Sequence, residues 1–164
     1  MRTNLLAPDF AARFNQQIYA TYLSYVPDEA RRQSLEIKSD QRGGLAEFIK
    51  SNNFGQIFIS RTRPGITRGN HYHHTKAEKF FVVEGEGVIR MRHIERSEVV
   101  EYRVGGKAFL VIDIPPGYTH SIENIGSGDM VTLFWASEIF DADRPDTYFL
   151  PVLAPAEIPI PVTA

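Results

Sequence analysis

The sequence predicts an all-β domain, a sandwich or barrel of short strands, preceded by one amphipathic helix and followed by an extended tail. Three observations carry this reading: short apolar runs recur between Gly, Pro, Asn and Ser clusters, all twelve glycines fall between Gly43 and Gly128, and four of the ten prolines crowd into the last fourteen residues. A chain of 164 residues, at about 100–150 per domain, has room for one core.

The elements follow in order. Residues 1–34 read as a linker-like helical segment, in which Phe10, Phe14, Ile18 and Tyr22 recur every four residues across Asp9–Val26, with Asp9 as N-cap and Pro27 as the stop. Such a stripe packs on the barrel or on a partner chain, or marks a severed domain connection. The barrel occupies 35–150, with strands at Ala46–Lys50, Gln56–Arg61, Lys79–Val83, Gly87–His93, Val99–Val104, Phe109–Ile114 and Met130–Ala136. Between two of them, Gly85-Glu86-Gly87 suits a tight hairpin, because glycine adopts positive φ at little steric cost. The tail, 151–164, alternates proline with apolar residues, so it cannot join a central strand and lies extended or frays.

Composition narrows the function. Hydrophobic residues at 43% and charged residues at 23% describe a folded chain rather than a disordered one. Without cysteine there is no disulfide framework and no thiolate zinc site, so any metal must be held by His and carboxylates. The longest apolar run, Ala108–Ile112, is far short of the roughly 20 residues that span a bilayer. Residues 1–14 lack the apolar stretch of a secretory signal, and a cytoplasmic protein is expected. Eighteen basic against 20 acidic residues argue against nucleic-acid binding. A small ligand fits better.

Four of the five histidines, His71, His73, His74 and His120, lie beside Gly or Pro turns next to predicted strands; His93 stands apart. Residues two apart on a strand share a face, so His71 and His73 can present two imidazoles to one point. Glu78, at the start of the next strand, can add a carboxylate from the neighbouring wall. The stretch from Pro115 to Asn124 brings His120 after a Pro-Gly turn. Three His and one Glu make a first coordination shell for a divalent metal, zinc in the first place; the alternative is a hydrogen-bonded polar cluster without metal.

These two stretches resemble the two signature motifs of the cupin superfamily. The first, from Gly65 to Gly85, matches at every defined position. In the second, Pro115, Gly117, His120 and Asn124 match, while Phe109 stands where the pattern has a glycine. The resemblance implies a double-stranded β-helix (jelly-roll) barrel, usually dimeric, with metal at His71, His73, Glu78 and His120. A homodimer is expected on that ground and from the aromatic surface that the helix would otherwise expose.

The segments Tyr19–Tyr25, Asp40–Gly43, Pro64–His73 and Asp146–Leu150 are similar to a narrower group, the C-terminal cupin domain of CapF-type bifunctional enzymes of capsular polysaccharide synthesis. In that group a short-chain reductase domain precedes the cupin. The cupin is taken to epimerise C3 of a UDP-linked 4-keto sugar before the reductase half reduces C4. This sequence has no dinucleotide fingerprint, so it is read as a stand-alone homologue or the cupin half of a longer protein, with a reductase domain or subunit as candidate partner.

That chemistry needs a base. His74, Tyr72, Tyr118 and Glu84 all lie near the motifs and no spacing selects among them; His74 and Tyr118 are the first to test. Arg61, Arg63, Arg68, Lys76 and Lys79 surround Glu78 in a chain that is acidic overall. Arginine pairs well with phosphate oxygens, so Arg61, Arg63 and above all Arg68 are candidates for a nucleotide diphosphate; the alternative is a solvated strand face. A second enzyme reading compares Gly65–His71 with the G-x-x-R-G-x-H stretch of metal-free dTDP-4-keto-sugar 3,5-epimerases, in which His71 would be the base. A non-catalytic sugar-nucleotide-binding or dimerisation cupin and a metal dioxygenase are the remaining alternatives.

Overall fold

The computed structural model describes residues 4–153. Two helices, α1 (Arg13–Ser24) and α2 (Asp28–Arg31), precede eleven strands: β1 (Ile37–Asp40), β2 (Gly43–Ser51), β3 (Gly55–Thr62), β4 (Thr67–Tyr72), β5 (Glu78–Glu84), β6 (Glu86–His93), β7 (Val100–Gly105), β8 (Val111–Ile114), β9 (Tyr118–Asn124), β10 (Met130–Ala136) and β11 (Tyr148–Phe149). They form two antiparallel sheets, ordered β1-β2-β3-β10-β5-β8 and β11-β4-β9-β6-β7. The sheets close face to face over one core, the all-β two-sheet architecture expected from the sequence.

Register sorts the interior into rows. On the inner face of the first sheet, Phe58, Phe134, Phe80 and Ile112 stand side by side. The next row toward one rim is Gln56, Ala136, Glu78 and Ile114. In the second sheet His71, His120 and Met91 are lateral neighbours, followed by Arg68, Ile122 and Ile89. Apolar side chains fill the middle of the sandwich, with Val82, Ile89, Ile122 and Met130 almost fully buried, while the histidine row and Glu78 face one another near one end.

One irregularity sets that arrangement. Between Gly69 and His71 strand β4 carries an extra residue, Asn70, so that Arg68 opposes Ile122 while His71 opposes His120. Gly69 (φ 94°) and Asn70 (φ 59°) make this bulge. A Cβ at Gly69 would fall 2.6 Å from the His120 carbonyl oxygen, so only glycine fits.

The structure corrects several expectations. Helix α1 starts at Arg13 rather than Asp9, and its N-cap is Ala12. The Asp9 carboxylate instead accepts the Ala11 N–H and the Asn53 side-chain amide, so it is spent on a turn and a tie to the barrel. No residue of α1 is buried, and Phe14, Ile18 and Tyr22 are exposed: the stripe does not pack on the barrel. Gly85 is no hairpin turn, because β5 lies in the first sheet and β6 in the second; its positive φ turns the chain from one sheet to the other. Phe109, at φ 46°, falls outside β8, which begins at Val111. The tail begins tied down, with Val152 buried and its N–H donated to Asn70; the remainder, 154–164, lies outside the described residues. Among the described residues no helix is long and apolar enough to cross a membrane.

Candidate metal centre

His71 near the end of β4, His73 one residue beyond it, Glu78 at the start of β5 and His120 on β9 converge, each offering one ligand atom within 4.8 Å of the others. The imidazole rings of His71 and His120 lie 4.6 Å apart and those of His71 and His73 5.0 Å, both edge to face. His73, Glu78 and His120 are buried; His71 is partly open. Phe80 floors the cluster, its ring 5.4 Å from His120.

The backbone sets the tautomers. His120 Nδ1 donates to the Tyr118 carbonyl at 3.1 Å, and His73 Nδ1 donates to the Asp146 carbonyl. In the neutral rings both Nε2 atoms therefore present lone pairs to the centre, where Glu78 Oε2 lies 3.0 Å from His120 Nε2 and 3.3 Å from His73 Nε2. These three atoms are buried and lack a hydrogen-bond partner of proper geometry. With neutral rings these are converging acceptors, an unfavourable arrangement that a proton on an imidazole relieves in part. A cation relieves that, and three imidazole nitrogens plus one carboxylate suit a divalent metal.

Titration follows the same geometry. Burial alone would raise the Glu78 pKa, but the imidazoles of His120 and His73 outweigh it and hold the carboxyl well below its usual range. Burial also opposes a charge on His73, yet the Glu78 carboxylate prevails and raises it. Burial and the nearby His120 push His71 down to about 4, which keeps its ring neutral and available as a ligand.

The other candidates are placed differently. Tyr118 shares a cleft of about 640 Å³ with Glu78, Met91, Tyr102, Pro116 and Trp135, and its ring meets His93 at 5.1 Å. His74 is exposed and packs on Tyr148 at 4.8 Å and Tyr72 at 5.3 Å, in an aromatic cluster beside the centre rather than in it. Tyr72 stacks on Tyr148, and Glu84 is exposed at the end of β5. Arg68 reaches the buried Thr62 hydroxyl, its Nε donating at 2.9 Å. Arg61 and Arg63 are exposed in a groove of about 470 Å³ whose lining includes none of the four converging residues. Lys76 is turned to the Pro145 carbonyl and Lys79 to Asp113, so the basic cluster of the sequence is dispersed in space.

Residues 38–148 match the family described as polysaccharide biosynthesis C-terminal domain. The chain belongs to this family. Within the polysaccharide biosynthesis C-terminal domain family it resembles UDP-2-acetamido-2,6-beta-L-arabino-hexul-4-ose reductase of Pseudomonas aeruginosa, with 37% identity over 147 residues, covering 90% of this chain and 40% of that protein. It is also similar to the crystal structure of the capsular polysaccharide assembling protein CapF from Staphylococcus aureus, at 50% identity and a TM-score of 0.89, covering 92% of this chain and 44% of CapF. The chain thus spans about two fifths of the length of these relatives. The cupin domain of Drosophila melanogaster CENP-C, 18% identical and covering 63% of this chain and 71% of its own, has a TM-score of 0.54 and shows the fold alone. The fold of this polysaccharide biosynthesis C-terminal domain is a cupin.

Proposed function

We propose that this chain catalyses metal-dependent C3 epimerisation of a UDP-linked 4-keto-6-deoxy sugar, a step toward capsular or surface polysaccharide precursors. The convergence of His71, His73, Glu78 and His120, in a domain half identical in sequence to part of CapF, carries this reading. The Pseudomonas relative is named for a UDP-linked hexul-4-ose, a sugar with its ketone at C4. The C3 proton of such a sugar is acidified by that ketone, and inverting C3 needs no redox step.

A divalent cation held by the three histidines and Glu78, with zinc best matched to the donors, supplies Lewis acidity for the charge that develops on the ketone oxygen. Tyr118 moves the C3 proton, since it faces the same cleft as Glu78. His74 acts beside it only if its ring leaves the Tyr72–Tyr148 cluster. Arg68, with Arg61 and Arg63 farther out, holds the diphosphate. The functional unit is a homodimer with a reductase domain or subunit as its partner. The exposed α1 stripe and the row Ile37, Ala46, Ile59, Leu133, Phe81 and Val111 across the outer face of the first sheet support an association of two copies. Light scattering at tens of micromolar that returns a monomer refutes the dimer.

The test of the reaction incubates zinc-loaded and chelated protein with a UDP-linked 4-keto-6-deoxy-hexosamine in deuterated water and follows the sugar protons by NMR. Deuterium entering at C3 alone, lost on chelation and restored by zinc, is the expected result. Exchange at both C3 and C5 that survives chelation overturns it in favour of the metal-free 3,5-epimerase chemistry with His71 as base. Binding without exchange leaves a sugar-nucleotide-binding module.

A further inference from the structure

The segment leading out of the barrel returns across the metal centre. Asp146 sits there in the left-handed region, at φ 40°. Its carboxylate accepts the backbone N–H groups of His74 at 2.9 Å, Thr75 at 3.0 Å and Lys76 at 3.1 Å, and the Thr75 hydroxyl at 3.0 Å. One side chain so far off in sequence thus ties the whole turn that follows His73. Burial would raise its pKa, but those N–H donors prevail and hold it low, so the carboxylate stays charged. Its own carbonyl accepts Nδ1–H of His73. Lys76, itself buried, ties the same segment a second time through the Pro145 carbonyl at 3.0 Å. Two residues on, β11 pairs Phe149 with His71.

We propose that Asp146 is a positioning residue for the metal centre. Its side chain fixes the 74–76 turn, so that its carbonyl holds His73 as the Nδ1–H tautomer with Nε2 free for the cation. A partner of this kind is worth 10- to 100-fold in metal affinity where it has been removed from other centres. The inference rests on the metal reading above but not on the epimerase reaction.

The experiment separates the two. In metal-free, ¹⁵N-labelled protein, long-range imidazole spectra report the His73 tautomer; in parallel, competition with a chromophoric chelator reports the zinc dissociation constant. Wild type is expected to show Nδ1–H at His73. Asp146→Ala is expected to populate the Nε2–H form and weaken zinc at least tenfold. Asp146→Asn, whose amide oxygen still accepts N–H groups and which tolerates the left-handed backbone, is expected to stay within a few-fold of wild type. A merely structural role would not give that tautomer change or that rescue. Should Asp146→Ala fail to fold, Lys76→Met, which frees only the Pro145 carbonyl, is expected to move both readouts in the same direction by a smaller amount. A wild-type tautomer and a zinc affinity within twofold of wild type in the folded variant overturn the proposal. If wild type binds no zinc, the metal reading falls, and the tautomer comparison alone decides the role of Asp146.

Discussion

The two ends of the barrel interior are built on the same strands and obey opposite rules. Toward the middle, Val82, Ile89, Ile122 and Met130 are buried by neighbours of their own kind. Along the same strands, His120 two residues from Ile122 and Glu78 four residues from Val82 are also buried, yet their inward atoms have no hydrogen-bond partner. The apolar half gains free energy from being closed; the polar half is held in place by that gain while its own groups remain poorly satisfied. Burial at the two ends therefore has different consequences when a side chain is removed.

The largest effect is expected in the apolar half. Ile89→Ala empties space around a residue with no exposed surface, and should cost about 2–5 kcal/mol in a denaturant titration. Zinc should still bind to the folded fraction; loss of zinc in a folded Ile89→Ala would show that the two halves are not separable. Next in size is the effect of the cation. Zinc at one hundred times its dissociation constant should stabilise wild type by about 2.7 kcal/mol. The same addition should leave Glu78→Leu unmoved.

Without metal, Glu78→Leu should lower stability by about 1–3 kcal/mol, because the folded state holds this carboxyl well below its usual range and its loss leaves His73 buried without the partner that raises it. An unchanged or raised stability would mean that the carboxylate gains nothing from the histidines and is kept for the cation alone. Acid offers another test. Since His71 is held at about 4 in the folded state against 6.5 in the unfolded chain, its contribution is present above pH 6.5. It is lost as the pH falls from there toward 4, where the unfolded chain takes up a proton that the folded one refuses. The slope is under about 1.4 kcal/mol per pH unit, reduced by the partial exposure of the ring. His71→Gln should flatten that part of the metal-free stability curve, and an unchanged curve would assign the acid sensitivity elsewhere. The smallest effect is expected outside the barrel. Phe14→Ser, on the exposed stripe of α1, should change monomer stability by no more than about 0.5 kcal/mol.

This contrast also explains which parts of the fold were legible in the sequence. Strands β2, β3, β5, β6, β7, β8 and β10 were found within a few residues, because their inward positions are apolar and the alternation shows. Strands β4 and β9 gave no such pattern, since, apart from Tyr118 and Ile122, their inward positions are taken by Arg68, His71, His120 and Asn124. These are the two strands that carry three of the four converging residues or lead into them. Their chemistry was visible as motif spacing instead. Strand β1 is exposed throughout and β11 is two residues long, so neither leaves a periodic trace. The role of Asp146 was not legible at all as a contact. It acts through a main-chain carbonyl and three backbone N–H groups some seventy residues away, and although Asp146 opens one of the segments that carry the family resemblance, nothing in that segment says what it touches.

The extra residue in β4 has a genetic consequence. A strand alternates sides with a fixed beat of two, and Asn70 delays that beat by one, which is why an arginine and a histidine three positions apart are both set opposite interior residues. Losing that single codon would restore the regular beat. Arg68 and His71 would then stand two apart and still face the interior, opposite Ile122 and His120, so the lesion would spare the inward histidine and remove instead the two Asn70 oxygens that accept the Leu150 and Val152 N–H groups.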